Sequence, residues 1–210
     1  MTSRPLRLLL ASNNRKKLAE LRHLLADMGV VIVLPSEIGG VPDVVEDAQT
    51  FAGNAAKKAE SAALAKQCWA LADDSGLCVD ALGGAPGVHS ARFAGVHGDD
   101  AANNRLLLEK LEGVPDFLRS AHFTCALALA RPDGTLAATI EGRAHGRILH
   151  SPRGTHDFGY DPLFEFTEPG FAATGRSFAE LEPGDKGEVS HRGRALRMLV
   201  ERLPGLMGER

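Results

Sequence analysis

The start of the chain alternates between the apolar spacing of strands and that of helices, and this alternation constrains the fold most. Residues 6–11 form a short apolar run typical of a buried strand, and the polar residues 12–14 favour a turn or a helix N-cap. Within residues 15–28 the apolar side chains recur at the spacing of one helical face, and residues 30–34 are again apolar and β-branched. Strand, turn, helix and strand in this order predict a βαβ unit.

The remaining segments add further helices and an antiparallel pair of strands. Helical patterns cover residues 50–67, 99–111 and 192–203, and strand patterns cover residues 69–72, 123–130 and 135–144. Asp73-Asp74-Ser75-Gly76 interrupts the first of these strands, and Leu77 and Val79 continue it. The last two strands flank Pro132-Asp133-Gly134, which predicts a hairpin turn. Because no internal repeat or linker interrupts the 210 residues, a single α/β domain with an antiparallel part is predicted.

Composition and charge exclude several classes of function. The net charge of -3 gives no overall attraction for DNA, RNA or an anionic membrane surface, and no stretch is apolar enough to span a bilayer. The three cysteines are too far apart for a paired metal motif, and their odd number argues against a disulfide framework. We therefore expect a cytoplasmic protein with reduced thiols, no nucleic-acid partner and no membrane partner.

Two adjacent carboxylates, Asp73 and Asp74, follow the predicted strand at residues 69–72 and precede Ser75-Gly76. Ligands of α/β sheets bind where strands end, and neighbouring carboxylates repel unless they share a cation or a proton. Carboxylate oxygens suit Mg²⁺, which also binds substrate phosphates. The alternative is a solvated turn in which one carboxylate caps the backbone.

Two basic clusters are candidates for binding anions. The first follows the first predicted strand, where N–H groups at a helix N-terminus suit phosphate, and comprises Ser12, Asn13, Asn14, Arg15, Lys16 and Lys17. The second comprises Lys186, His191 and Arg192 and suits a phosphate or the edge of a base. Ordinary helix capping with solvated cations is the alternative for both. The sequence contains no G-x-x-x-x-G-K-[ST] phosphate loop.

An aromatic loop, Phe158-Gly159-Tyr160-Asp161-Pro162, is the last candidate. A ring beside glycine stacks well on a base, and the carboxylate of Asp161 would read the edge of that base. Plain packing of the aromatic rings on the core is the alternative.

Six segments, taken together and in order, resemble the inosine triphosphate pyrophosphatase-like family, the dITP/XTP pyrophosphatases. They span residues 12–193 and are Ser12-Asn13-Asn14-x-x-Lys17-x-x-Glu20, Thr50-Phe51-x-x-Asn54-Ala55-x-x-Lys58-Ala59, Ala72-Asp73-Asp74-Ser75-Gly76-Leu77, Gly83-Gly84-Ala85-Pro86-Gly87-Val88-x-Ser90-Ala91-Arg92, Phe158-Gly159-Tyr160-Asp161-Pro162 and Ser190-His191-Arg192-Gly193.

This resemblance implies an α/β fold with a long mixed twisted sheet and helices, two lobes around a central cleft, and assembly as a homodimer. It implies a Mg²⁺-dependent nucleoside-triphosphate diphosphatase. Such an enzyme hydrolyses non-standard purine nucleotides (ITP, dITP, XTP and dXTP) to the monophosphate and pyrophosphate and so cleanses the nucleotide pool.

The resemblance also implies roles for several of the matched residues. Residues 12–17 and Lys58 would hold the triphosphate, and Ser75 would contact the substrate. Glu46 and Asp74 would hold Mg²⁺ with Asp73 close by, and Asp74 would accept the proton of the attacking water. The base pocket would comprise Phe158, Gly159, Tyr160, Asp161, Lys186, His191 and Arg192. A donor from its basic residues would pair with O6 of a 6-oxo purine and would lose that partner in adenine.

Some positions depart from the family pattern. Gly53 stands where the family usually has Glu, and Asp47-Ala48 replaces the usual Thr-Gly after Glu46. Gly187 follows Lys186 where a polar residue is commoner. Asp47 is therefore a rival to Glu46 as the second metal ligand.

Three other functions remain open at this level. Asp74-Ser75-Gly76 also matches the aspartic-protease pattern, but the helical periods argue against a nearly all-β protease. A non-catalytic nucleotide-binding module is the second, since resemblance of fold does not prove turnover. The third is a pyrophosphatase for other modified nucleoside triphosphates, such as those of pyrimidines.

Overall fold

Six strands form one mixed sheet in the computed structural model, which describes residues 6–12, 30–155 and 158–208. The strands are β1 (Leu6–Leu10), β2 (Val30–Val33), β3 (Trp69–Val79), β4 (Ser120–Ala130), β5 (Leu136–Ile148) and β6 (Phe164–Phe166). Their order across the sheet is β2-β1-β3-β4-β5-β6. β1 runs parallel to both β2 and β3, and β5 runs antiparallel to β6.

Four helices lie within the described residues: α1 (Phe51–Lys66), α2 (Asp100–Lys110), α3 (Pro183–Val189) and α4 (His191–Gly208). The hydroxyl of Thr50 caps α1 by accepting the N–H of Gly53 at 3.1 Å, and Asp99 caps α2 by accepting the N–H of Ala102 at 2.9 Å. In the part of the chain that the structure describes, none of the helices combines the length and apolar character needed to cross a membrane.

The chain divides into two compact units. The first comprises Met1–Asp74, Ala126–Glu141 and Ala195–Arg210, and the second comprises Ser75–Cys125 and Gly142–Arg194. In the first unit, α1 buries mainly small side chains at helical spacing, such as Ala55, Ala59 and Ala62. The core of the second unit is aromatic and includes the rings of Phe123, Phe164, Phe166 and Phe178.

Most predicted elements are confirmed. The first two strands are present and parallel, as a βαβ unit requires, while the predicted helix at residues 15–28 lies outside the described residues. The hairpin is also confirmed, because the N–H of Arg131 donates to the carbonyl of Thr135 at 2.8 Å and Gly134 has a φ of 84°. β6 and α3 were not predicted, since three and seven residues carry little periodicity.

The predicted interruption of the strand at Asp73-Asp74-Ser75-Gly76 is wrong, whereas its continuation at Leu77 and Val79 is confirmed. β3 continues through Asp73-Asp74-Ser75-Gly76 to Val79 as one strand of eleven residues. Asp and Gly are poor strand formers by local propensity, but neighbouring strands in the sheet override that preference. The pair of carboxylates therefore lies in the middle of a strand instead of on a turn.

A buried arginine joins the end of α2 to the end of β5 in the second unit. Arg119 is 2% exposed, and its guanidinium donates to the carbonyls of Leu111 (2.9 Å), Ile148 (2.8 Å) and Leu149 (3.0 Å). Burial lowers the pKa of this guanidinium, but arginine remains protonated at any physiological pH. The positive charge also suits the carbonyls that follow the last turn of a helix.

We expect Arg119→Met to destabilise the protein by about 3 kcal/mol or more, because several buried carbonyls lose their donors together. Urea denaturation measures the change in the free energy of unfolding. Arg105→Met is the matched control, because Arg105 is exposed on α2, and it should change stability by less than about 0.5 kcal/mol. Equal losses in the two variants would show that the buried bonds contribute nothing.

Candidate functional site

Asp74 lies just beyond the parallel part of β3. The register of β1 with β3 runs to Leu10 and Leu71, and the N–H of Ala11 donates to the carbonyl of Leu71 at 2.8 Å. β1 ends there, whereas β3 continues. The carboxyl edge of parallel strands is where α/β sheets bind ligands, so the predicted location holds although β3 does not end there.

Asp73 and Asp74 differ in their surroundings. Successive side chains of a strand point to opposite faces, so the two carboxylates are not expected to share one cation as neighbours on a turn would. Asp73 is 5% exposed, whereas Asp74 is half-buried and contacts side chains of α1. Asp74 is therefore the carboxylate around which the candidate site forms.

A lysine from α1 lies between two carboxylates of the first unit. Nζ of Lys58 is 3.3 Å from Oδ1 of Asp74 and 3.3 Å from Oε2 of Glu46. The side chains of Lys58 and Asp74 are only 18% and 14% exposed, so water screens their attraction less than that of a surface pair. Glu46, Lys58 and Asp74, which the resemblance assigns to the metal and the phosphates, thus meet at one ammonium group.

Asn54 connects these groups, although the sequence analysis assigned it no role. Its amide N–H donates to Oδ2 of Asp74 at 3.1 Å, and its amide oxygen accepts the N–H of Ala48 at 2.9 Å. Asn54 is fully buried and precedes Lys58 by four residues, so both side chains lie on one face of α1. An asparagine on the same helical face as several alanines was the available signal, because a polar side chain on an apolar face needs polar partners.

Asp47, the rival metal ligand, has a different partner. It forms an ion pair with Lys57, which is the residue next to Lys58 on α1. The side chain of Asp47 is 63% exposed, and Lys57 holds the pKa of its carboxyl below the usual range. The geometry therefore favours Glu46, which shares Lys58 with Asp74, as the second ligand.

Two departures from the family pattern are coupled in space. A Cβ atom added at Gly53 would lie 2.8 Å from Cβ of Ala48, which is too close for both to remain in place. Ala48 stands where the family usually has glycine, and Gly53 where it usually has glutamate. The methyl group at one position thus takes the space needed by a side chain at the other.

Burial is the largest influence on Asp74 and raises the pKa of its carboxyl above the usual range. The ammonium of Lys58 and the amide of Asn54 act in the opposite direction, while the negative charge of Glu46 adds to the rise. A carboxylate whose pKa is raised accepts a proton more readily near neutral pH than one in water.

The carboxylates of Glu46 and Asp74 fit a hard divalent cation. They come from different segments and already face one positive charge, the ammonium of Lys58. Mg²⁺ commonly takes one or two carboxylates and keeps water or phosphate oxygens as its other ligands. Within residues 6–12, 30–155 and 158–208, no group of three or more His, Cys, Asp or Glu side chains is arranged to hold a metal ion.

A second group of predicted residues surrounds the amine of Lys186 in the second unit. Lys186 forms an ion pair with Asp161, which is 3% exposed. Its Nζ lies 5.6 Å from the centre of the Phe158 ring and 5.7 Å from that of the Phe178 ring. Phe158 is 41% exposed, so an accessible apolar ring and a cationic donor lie side by side.

His191 begins α4 and stacks on a ring of the aromatic core. Its ring centre is 4.7 Å from that of Phe123, with 13° between the planes. Phe123 stacks in turn on Phe178 at 5.8 Å. Arg192 follows in the first turn of α4 and is half-buried. Phe123 and Phe178 support this group, and sequence reasoning missed them because buried apolar residues give no local sign of a site.

Tyr160 lies in the core of the second unit. It is 5% exposed, and its hydroxyl donates to the carbonyl of Ser90 at 2.9 Å. Burial raises the pKa of this hydroxyl, and the charge of Asp100 adds to the rise. Ser90 also accepts the N–H of Leu77 at 2.9 Å, so the tyrosine side chain anchors the aromatic loop. Its assignment to the base pocket stays a prediction.

The remaining predicted residues lie in three places. Ser12 follows β1 and is half-buried, and Ser75 is half-buried within β3. Asn13, Asn14, Arg15, Lys16 and Lys17 lie outside the described residues.

Comparison with known sequences finds a family and close relatives. The profile of the Ham1 family matches residues 8–202. A protein named dITP/XTP pyrophosphatase from Streptomyces avermitilis is 48% identical over 96% of this chain and 99% of its own length. A protein of the same name from Desulforamulus reducens is 50% identical over 93% of this chain and 94% of its own length.

Solved structures agree with the sequence matches. A HAM1 protein from Coxiella burnetii has a TM-score of 0.87 at 41% identity and covers 95% of this chain and 99% of its own. A nucleoside-triphosphatase / dITP/XTP pyrophosphatase from Mycobacterium abscessus has a TM-score of 0.77 at 45% identity, covering 92% of this chain and 98% of its own. The α/β fold class and the resemblance carried by the six motifs are thereby confirmed.

We expect Lys58→Met to raise the pKa of Asp74 further, because the variant removes a nearby positive charge while burial remains. NMR titration of the Asp74 carboxyl carbon in the metal-free protein measures this shift. The matched control is Lys57→Met, since Lys57 pairs with Asp47, and it should shift Asp74 much less. A larger shift in the control would contradict the assigned ion pairs.

Proposed function

The chain belongs to the Ham1 family, and we propose that it hydrolyses deaminated purine nucleoside triphosphates to the monophosphate and pyrophosphate. ITP, dITP, XTP and dXTP are the proposed substrates, and removal of such nucleotides from the cellular pool is the proposed purpose. The observation that carries the proposal is the cluster of Glu46, Lys58 and Asp74, whose charges match what hydrolysis of a phosphoanhydride requires.

The reaction depends on positioning and on charge neutralisation more than on covalent help. A water molecule adds to a phosphorus of the α–β linkage, the bond to the bridging oxygen breaks, and pyrophosphate is released. Asp74 would accept the proton of that water as the general base. Lys58 would neutralise charge that accumulates on the phosphate oxygens, and Asn54 would keep the Asp74 carboxylate in place.

We propose that Glu46 and Asp74 hold Mg²⁺ when substrate binds. The ion would supply positive charge to the phosphate oxygens and lower the pKa of groups around it. The ammonium group of Lys58 would then move from the carboxylates toward the phosphates, because the lysine side chain is flexible.

The group around Lys186 is proposed to bind the purine. The exposed ring of Phe158 would stack on the base, and a donor from Lys186, His191 or Arg192 would pair with O6. Asp161 is almost fully buried and holds Lys186, so it orients this donor. Adenine carries an amino group at that position and would leave the donor without its acceptor.

We also propose assembly as a homodimer in the cytoplasm, as the family resemblance implies. Sedimentation equilibrium of the purified protein tests the first part, because a dimer has twice the chain mass of 22.3 kDa.

Release of pyrophosphate from ITP, XTP, GTP and ATP, measured with and without Mg²⁺, tests the proposed activity. We expect ITP and XTP to be cleaved at least about a hundredfold more efficiently than ATP, because adenine leaves the O6 donor unpaired. Asp74→Asn should lower kcat by about 10²–10⁴-fold through loss of the proton acceptor. Binding of ITP without turnover would instead indicate a nucleotide-binding module, and equal rates for ATP would refute the proposed base pocket.

The identity of the second metal ligand is tested by comparing Glu46→Ala with Asp47→Ala. Glu46→Ala should raise the Mg²⁺ concentration for half-maximal activity by about tenfold or more, because a direct carboxylate ligand is lost. Asp47→Ala should leave that concentration nearly unchanged, since Asp47 is exposed and paired with Lys57. The reverse result would assign the metal to Asp47.

A further inference from the structure

Two side chains of α2 bind the backbone of one residue in the aromatic loop. Oδ2 of Asp100 accepts the N–H of Gly159 at 2.9 Å, and Nδ2 of Asn104 donates to the carbonyl of Gly159 at 2.8 Å. Asp100 and Asn104 are four residues apart, so they lie on the same face of the helix. Both polar groups of Gly159 are thus bonded to one helix that is distant in sequence.

The conformation of Gly159 permits this double contact. Its φ is +57°, in the left-handed region that glycine adopts at little cost. The helix itself does not need either side chain as its cap, because Asp99 caps α2. Asp100 and Asn104 are therefore available to act on the loop.

The residues on either side of Gly159 are those proposed to meet the purine. Phe158 precedes it with an exposed ring, and Asp161 follows two positions later in its ion pair with Lys186. Tyr160 is tied to the core through Ser90, so the loop is held firmly after Gly159. The contacts from Asp100 and Asn104 fix the peptide that connects Phe158 to this anchored part.

We propose that Asp100 and Asn104 are positioning residues that set where the Phe158 ring stands for stacking on the purine. This inference rests on the proposed function of the same loop. Neither side chain is proposed to touch the substrate. They act through the Gly159 peptide. Because the base does not react, their contribution to the binding energy is the same in the ground state and in the transition state.

The expected kinetic signature is a change in substrate binding alone. Asn104→Ala and Asp100→Ala should each raise KM for ITP by about tenfold while kcat stays within about twofold, because uniform binding energy is lost. Asp100→Asn should restore KM, since the amide oxygen of asparagine can still accept the N–H of Gly159. Arg105→Ala is the matched control, because Arg105 is exposed in the same turn of α2.

A double-mutant cycle with Phe158→Ala separates positioning of the ring from a general structural effect. If Asn104 acts through the ring, Asn104→Ala should raise KM in the wild-type background and add nothing in the Phe158→Ala background. Thermal unfolding of each variant accompanies the kinetics, and Asp100→Asn provides a folded variant if Asp100→Ala does not fold.

The results that would overturn the proposal differ from the result that would overturn its premise. An unchanged KM in Asn104→Ala would refute the positioning role, and an equal rise in KM in both backgrounds would reduce it to a structural contact. Wild-type protein that hydrolyses neither ITP nor XTP would refute the proposed function and this inference together. Normal turnover by the wild type with additive effects of the variants would refute the inference alone.

Discussion

The contact of Lys58 with two carboxylates is the interaction on which the first unit depends. Asp74 is a half-buried charge in the middle of a strand, a position that opposes ionisation. The neighbouring helix compensates with the ammonium of Lys58 and the amide of Asn54, both on one face. Asn54 also binds the backbone of Ala48 in the loop that carries Glu46. One side chain therefore helps to fix the positions of both the Asp74 and the Glu46 carboxylates. Replacement of part of this arrangement by Mg²⁺ and the substrate phosphates belongs to the proposed function.

In the second unit, the aromatic core supports a ring that stays exposed, that of Phe158. The rings of Phe123, Phe164 and Phe178 form a rigid base, and His191 stacks on it. Lys186 is directed by a carboxylate that is itself almost excluded from water. The aromatic loop is then tied to this core through Tyr160 and to α2 through Gly159. The loop residues that are proposed to bind the base are thus held in position by the elements that support them.

Local signals predicted much of this structure. The helix at residues 50–67, the hairpin around Asp133-Gly134 and the strands at either end of the βαβ pattern follow from periodicity, propensity and turn chemistry. The course of β3 through Asp73-Asp74 did not, because an acidic pair followed by Ser-Gly has the local preference of a turn. Hydrogen bonds with neighbouring strands decide such a segment, and they come from residues far along the chain.

The sequence by itself determined the fold class, the family resemblance and the types of residue at the site, because apolar periodicity and ordered motifs are properties of the chain alone. Only the tertiary structure decided which of them meet. Glu46 and Asp47 are neighbours, yet one lies beside Lys58 and the other beside Lys57. The roles of Asn54, Asp100 and Asn104 depend on hydrogen-bond partners twenty or more residues away. Pairing across such distances depends on how helices and strands pack, which no local pattern encodes.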